Sequence, residues 1–164
     1  MAVNGISIRL AAPGDAAGWV HLKQQVHHIH VRNKPERFTS ITDEEAYAIF
    51  EHLLQEEGTQ VWVAETPTGD IAGEMAIKTV VRERHPGIIA GKYLLIDEIC
   101  VDEKCRSLGI GRLLTEKAMA IAESEGLESV TLQVWEFNQE ALAFYRSIGM
   151  QADMLRLIMP VKRR

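Results

Sequence analysis

The chain alternates short runs whose apolar residues repeat at every second position with longer runs whose apolar residues recur every three or four. The first period is that of a strand with one buried face, the second that of an amphipathic helix. Ile6, Ile8 and Leu10 alternate and predict a first strand, which Pro13 and Gly14 end. Asp15 stands where a helix cap would, and Trp19, Leu22, Val26 and Ile29 then follow a helical spacing until Asn33-Lys34-Pro35 breaks it. Thr42 and Glu45 form a capping-box pair ahead of a second helix, which places Ala46, Ile49, Phe50, Leu53 and Leu54 on one face and closes at Gly58.

Residues 61–64 and 71–81 flank the turn Pro67-Thr68-Gly69-Asp70 and read as a hairpin. A polar connection through Pro86 and Gly87 leads to residues 93–101, mostly apolar and β-branched, a central strand that nevertheless carries two acids, Asp97 and Glu98. A glycine-rich stretch opens a third helix, with Ile110, Leu113, Leu114, Ala118, Ile121 and Ala122 on its buried face and Gly126 at its end. Residues 129–135 predict a further strand, Asn138 caps a short helix that stops at Gly149, and residues 150–161 predict one or two final strands. The order β-α-α-β-β-β-α-β-α-β(β) describes an α/β (α+β) fold with a mixed, largely antiparallel central sheet flanked by helices, over residues 1–164 as a single domain.

Composition narrows the partners. The net charge of −5 argues against a broad nucleic-acid surface, which needs clustered Lys and Arg. Cys100 and Cys105 form no CxxC and have no His at metal spacing, so they read as reduced thiols of a cytoplasmic protein. The start of the chain has no basic segment followed by a long apolar one, and no run approaches the roughly 18 apolar residues that a membrane span needs. His27-His28-x-His30 has no Cys or acidic ligand beside it, so no metal is expected.

The stretch from Asp97 to Leu114 carries the chemistry. A strand runs into a loop with Gly109 and Gly111, and a helix starts there. The first helical turn offers backbone N–H groups and a partial positive charge, a site for phosphate, and Arg106 and Arg112 add to it. The loop is neither GxxxxGK[ST] nor GxGxxG, because Leu114 stands where the latter needs its third glycine.

Val101 followed by Arg106-x-x-Gly109-x-Gly111 resembles the R/Q-x-x-G-x-G/A signature of the GNAT family of N-acetyltransferases. Asn138-Gln139-Glu140-Ala141-Leu142-Ala143-Phe144-Tyr145-Arg146-Ser147-Ile148-Gly149-Met150 resembles its N-x-x-A-x-x-F-Y-x-x-x-G-F element. The two motifs come in the family's order, and the resemblance covers nearly all of the chain. Ser107 and Met150 depart from it, standing where the family usually has Gly and Phe.

The resemblance implies an acetyl-CoA cosubstrate and transfer of its acetyl group to a primary amine of a small molecule or peptide in a ternary complex. It implies pyrophosphate contacts from Arg106, Ser107, Leu108, Gly109, Ile110, Gly111 and Arg112, and contacts to the pantetheine arm from the strand Ile99, Cys100 and Val101. Further contacts are implied from Asn138, Ala141, Phe144 and Tyr145. Tyr145 takes the part of general acid toward the leaving thiolate, since a phenol of pKa about 10 stays protonated at neutral pH. Asp97, Glu98 or a water relay serves as base; in regular alternation the two acids face opposite ways, and Asp97 shares the parity of Ile99 and Val101 unless a bulge intervenes. Trp19, His27, His30, Arg37, Phe38 and Trp135 are candidates for reading the acceptor, with core packing the better reading of Trp19. A longer acyl-CoA donor or a non-catalytic CoA-binding module are the alternatives, and a homodimer is allowed.

Overall fold

Residues 5–161 are described in a computed structural model of the chain. They fall into two compact units, the first running to Gln133 and the second beginning at Val134.

The first unit is built on one sheet. Strands β1 (Ser7–Leu10), β2 (Thr59–Glu65), β3 (Ile71–Arg82), β4 (Gly91–Val101) and β5 (Val130–Leu132) lie side by side in chain order. Every pairing is antiparallel except β4 with β5, which is parallel and needs the crossover helix α3 (Ile110–Ser124) between them. The alternation along β3 sorts its residues to two faces. Met75 and Ile77 go to the core beneath α3 with Leu94, Ile96, Ile110, Leu114 and Ala118. Ala76 and Val61 go to the core beneath α1 (Ala16–Asn33) and α2 (Asp43–Gln55), where the rings of Trp19 and Phe50 meet at 5.2 Å. Trp19 is fully buried there, which is the packing role.

The capping box at α2 forms as its sequence dictates. Thr42 Oγ1 accepts from the Glu45 N–H at 3.2 Å, and Glu45 Oε2 accepts from the Thr42 N–H at 2.8 Å. Asp15 does something else. Its side chain makes no cap bond to α1; it accepts from the Ala12 N–H at 2.8 Å and from both ends of the Arg9 fork at 2.7 and 2.8 Å. That bidentate pair ties the end of β1 to the start of α1, and the Arg9 guanidinium holds the Asp15 carboxyl below its usual range.

Gly73 lets α3 seat close to β3. A Cβ there would come within 2.9 Å of Ile110 Cγ2 and 3.1 Å of the Cys100 carbonyl oxygen. The opening turn of α3 is thereby brought down beside the end of β4. Among the described residues no helix is long and apolar enough to cross a membrane.

The second unit contains α4 (Gln139–Ser147), capped by Asn138, whose side chain accepts from the Ala141 N–H at 3.2 Å. The expected final strands do not form: residues 150–161 have no strand pairing, and Met154, Leu155, Leu157, Ile158, Met159 and Val161 are exposed. Their β-prone composition satisfies only half of what a strand requires, since its backbone groups also need a partner edge. For the same reason β5 is shorter than the run at 129–135, ending at Leu132 where its pairing with Ile96 ends.

Candidate active site

Among the described residues, the end of β4 has one paired edge and one open edge. Asp102 donates its N–H to Ala72 O at 3.0 Å, and the register continues through Glu74 opposite Cys100 and Ala76 opposite Glu98. In an antiparallel pair, alternate residues turn their polar groups toward the partner strand. Glu98 and Cys100 therefore bond toward β3, whereas the N–H and C=O of Ile99 and Val101 are directed to the opposite side. There β5 pairs only with Leu94, Leu95 and Ile96, so β4 continues past its last partner on that edge. An extended chain with amide groups fits such an edge as an added strand would.

Beyond Val101 the chain is propped by α1. Asp102 accepts from the Lys104 N–H at 2.8 Å through one carboxylate oxygen, and the other lies 3.1 Å from His21 Nε2. Gln25 Oε1 accepts from the Glu103 N–H at 3.1 Å. Arg106 and Glu103 form a loose pair at 3.7 Å. Two left-handed residues then turn the chain into α3, Ser107 with φ 63° and Gly109 with φ 82°. Ser107 is the one non-glycine residue with positive φ among those described, which accounts for the glycine usual at that place in the motif. Leu113 donates to Gly109 O at 3.1 Å as the helix ladder begins, so the amides of Ile110, Gly111 and Arg112 precede it and point out of the helix end. Open edge and helix end together present outward-facing backbone groups followed by a helix N-terminus, an arrangement that favours an anion.

The two acids of β4 part company at a bulge. Glu98 is opposite Ala76 and Ile96 is opposite Ile77, so Asp97 is the extra residue between them. The parity that grouped Asp97 with Ile99 and Val101 is broken there. Asp97 is exposed and 3.4 Å from Lys78 Nζ, while Glu98 turns under α1 and meets Lys23 Nζ at 2.5 Å.

Beside Glu98 lies a residue the sequence reading passed over. Glu74 is fully buried, and neither of its oxygens has a hydrogen-bond partner among the described residues. Burial, and next the charge of Glu98, push its carboxyl well above the usual carboxylate range; Lys23 opposes this. The indole N–H of Trp19 opposes it least. The available signal was a single acid inside the apolar run Ile71-Ala72-Gly73-Glu74-Met75-Ala76-Ile77. Cys100 shares the face, buried, with its thiol donating to Leu22 O at 3.5 Å. Burial first, then the nearby acids, push that thiol far up and out of the nucleophilic range.

A sequence model of the Acetyltransferase (GNAT) family matches residues 23–150. The chain belongs to the GNAT family. It is 33% identical over 90 residues to N-acetyltransferase family 8 member 3 of Rattus norvegicus, covering 55% of this chain and 37% of that protein. The match thus spans little more than a third of that relative's length. Among solved structures, a point mutant of the BH1408 protein of Bacillus halodurans superposes with a TM-score of 0.91 at 29% identity, covering 95% of this chain and 99% of that one. Glucosamine-6-phosphate N-acetyltransferase of Arabidopsis thaliana shares the fold, with a TM-score of 0.68 at 23% identity over 96% of this chain and 99% of that one.

The remaining motif residues of this GNAT chain lie in the second unit. Asn138 spends its side-chain oxygen on the α4 cap, and Ala141 is the amide that it caps. Phe144 and Tyr145 are adjacent on α4 with ring centroids 5.3 Å apart. In the first unit, His30 stacks on Phe38 at 5.2 Å, His27 meets the same ring edge-on at 6.2 Å, and Arg37 lies 6.0 Å from it. This brings four of the expected acceptor-reading residues together, while Trp135 stacks on Phe137 at 5.8 Å in the second unit.

Proposed function

We propose that this GNAT chain is an N-acetyltransferase that takes its acetyl group from acetyl-CoA and places it on a primary amine of a small molecule or peptide, the two units acting as one domain. The observation that carries the reading is the run of β4 past its last β5 partner into a left-handed glycine and the open end of α3. Ile99 and Val101 would hold the pantetheine arm by their backbone groups. The loop from Arg106 to Arg112 would hold the pyrophosphate, and Asn138, Ala141, Phe144 and Tyr145 are the further cofactor contacts that the family's motif supports. When bound, acetyl-CoA supplies a thioester already activated toward an amine.

The residues then have proton work to do. An alkylammonium of pKa about 10 must lose a proton before it is a nucleophile. Glu98 takes it; what supports Glu98 over Asp97 is its inward position after the bulge, against an exposed Asp97 paired with Lys78. An edge amide near Val101 donates to the oxygen on which charge develops, and Tyr145 holds the proton that the departing sulfur takes up. Positioning of the two reactants contributes the rest.

Calorimetric titration with acetyl-CoA, CoA and NADH, followed by thiol release over a panel of amines, tests the reading. Binding of both CoA species but not NADH, with turnover on an amine, is expected. Binding without turnover would mark a regulatory module, preference for propionyl- or succinyl-CoA a longer-chain transferase, and no CoA binding an interaction domain. In the same assay Tyr145→Phe is expected to keep acetyl-CoA affinity and to lower turnover by at least about tenfold. Equal turnover would reduce Tyr145 to packing.

A further inference from the structure

Glu74 and Glu98 sit on neighbouring antiparallel strands, diagonally across one face, because Glu74 is opposite Cys100 and Glu98 is opposite Ala76. Such diagonal positions are roughly 7–8 Å apart, a span that two glutamate side chains bridge. Their hydrogen-bond needs are complementary. Glu98 Oε2 receives Lys23 Nζ at 2.5 Å, while Glu98 Oε1 is buried with no donor among the described residues. Glu74 is buried with both oxygens unbonded. Two ionised carboxylates here would set two negative charges against one ammonium, away from water. A neutral Glu74 removes that conflict and supplies one O–H donor, the group that Glu98 Oε1 lacks.

We propose that Glu74 is a positioning residue for Glu98: protonated, it rotates about its broad terminal torsion and donates its O–H to Glu98 Oε1, so that Lys23 and Glu74 hold the two oxygens of one carboxylate. The consequence for the reaction rests on Glu98 being the base. Lys23, Glu98 and Glu74 together carry no net charge, and Glu98 keeps both its negative charge and a set orientation. Other groups bearing on the pair are few. Trp19, Lys23 and His30 come from α1, with His27 acting on His30, and Cys100 comes from β4. The α2 and β2 residues in the adjoining core are the apolar Ala46, Phe50 and Val61.

The test is a carboxyl carbon-13 NMR titration of the full chain labelled at the glutamate δ-carbon, from about pH 5 to 9, with the Glu74 signal assigned by its loss in Glu74→Gln. The Glu74 carboxyl is expected in its protonated position at neutral pH. Its midpoint is expected to move down by about one pH unit in Glu98→Gln and up in Lys23→Met. A Glu74 ionised at neutral pH overturns the proposal. So does a midpoint, or a protonated plateau, that is the same in wild type and both variants, the behaviour of an acid that is merely buried. The wild-type signal and two variants at half-buried positions keep the test independent of any one substitution's effect on folding. No acceptor or turnover is required. Glu98→Gln protein that retained full turnover would remove Glu98 as the base and leave the coupling to be judged by the resonance alone.

Discussion

Gly109→Asp is expected to weaken binding of acetyl-CoA and CoA by on the order of a hundredfold, about 2.8 kcal/mol, while the protein stays folded. Gly109 caps α3 with φ 82°, and its carbonyl takes the first ladder bond from Leu113. Asp is among the best helix caps and is one of the few side chains that tolerate the left-handed region, so the start of α3 survives the change. What it adds is a carboxylate on the same amides that phosphate oxygens need, and a negative charge at the helix end that attracts them. The loss expected is that of charge-assisted bonds, larger than any effect on helix stability. Calorimetric titration against wild type reads the affinity, and a melting temperature within a few degrees of wild type, a shift worth about 1 kcal/mol at most, shows the fold intact. Unchanged affinity in folded protein would place the pyrophosphate elsewhere.

Glu98→Gln is expected to lower turnover by on the order of a hundredfold or more, the usual worth of a positioned base, with acetyl-CoA affinity within about twofold of wild type. Gln keeps the shape and an oxygen for Lys23 but accepts no proton from an ammonium. The cofactor affinity should hold because Glu98 bonds along the β3 side of β4, while the open edge belongs to Ile99 and Val101. Asp97→Asn is the control. Exposed and paired with Lys78, it should change turnover by less than about threefold. Thiol release on any amine that the panel shows to be accepted decides the matter. A small loss in Glu98→Gln with a large one in Asp97→Asn would reverse the two roles, and small losses in both would leave water as the relay.

The helices were readable because their signals are local. The Thr42/Glu45 box, the apolar face of α3 and the Asn138 cap each lie within a few turns of chain, and each forms as its residues dictate. The glycine loop was readable for a similar reason. A left-handed residue at a helix start leaves its mark as Gly109, and even the exception, Ser107, marks the place. The bulge left no such mark. Two acids stand out between Ile96 and Ile99, but nothing local says which of them is the extra residue, which is defined only by what β3 places opposite it. A reading of parity therefore grouped Asp97 with Ile99 and Val101 where the pairing makes it the outlier.

Residues 150–161 show the complementary failure. Their composition favours a strand, yet a strand is completed by pairing with a neighbouring strand, and residues 150–161 have no such partner among the described residues. Glu74 combines both lessons. Its presence in an apolar run is visible in the sequence, but its burial depends on α1 and α2 covering that face, and its neighbours Lys23 and Glu98 come from either side of it in the chain. Order and composition alone dictated the periodic elements, their caps and the left-handed turn into α3, because those depend on interactions between near neighbours. The open edge of β4, the inward choice of Glu98 and the pairing of two carboxyls beneath α1 were decided by packing, because strand register and desolvation are set by partners that the local sequence does not contain.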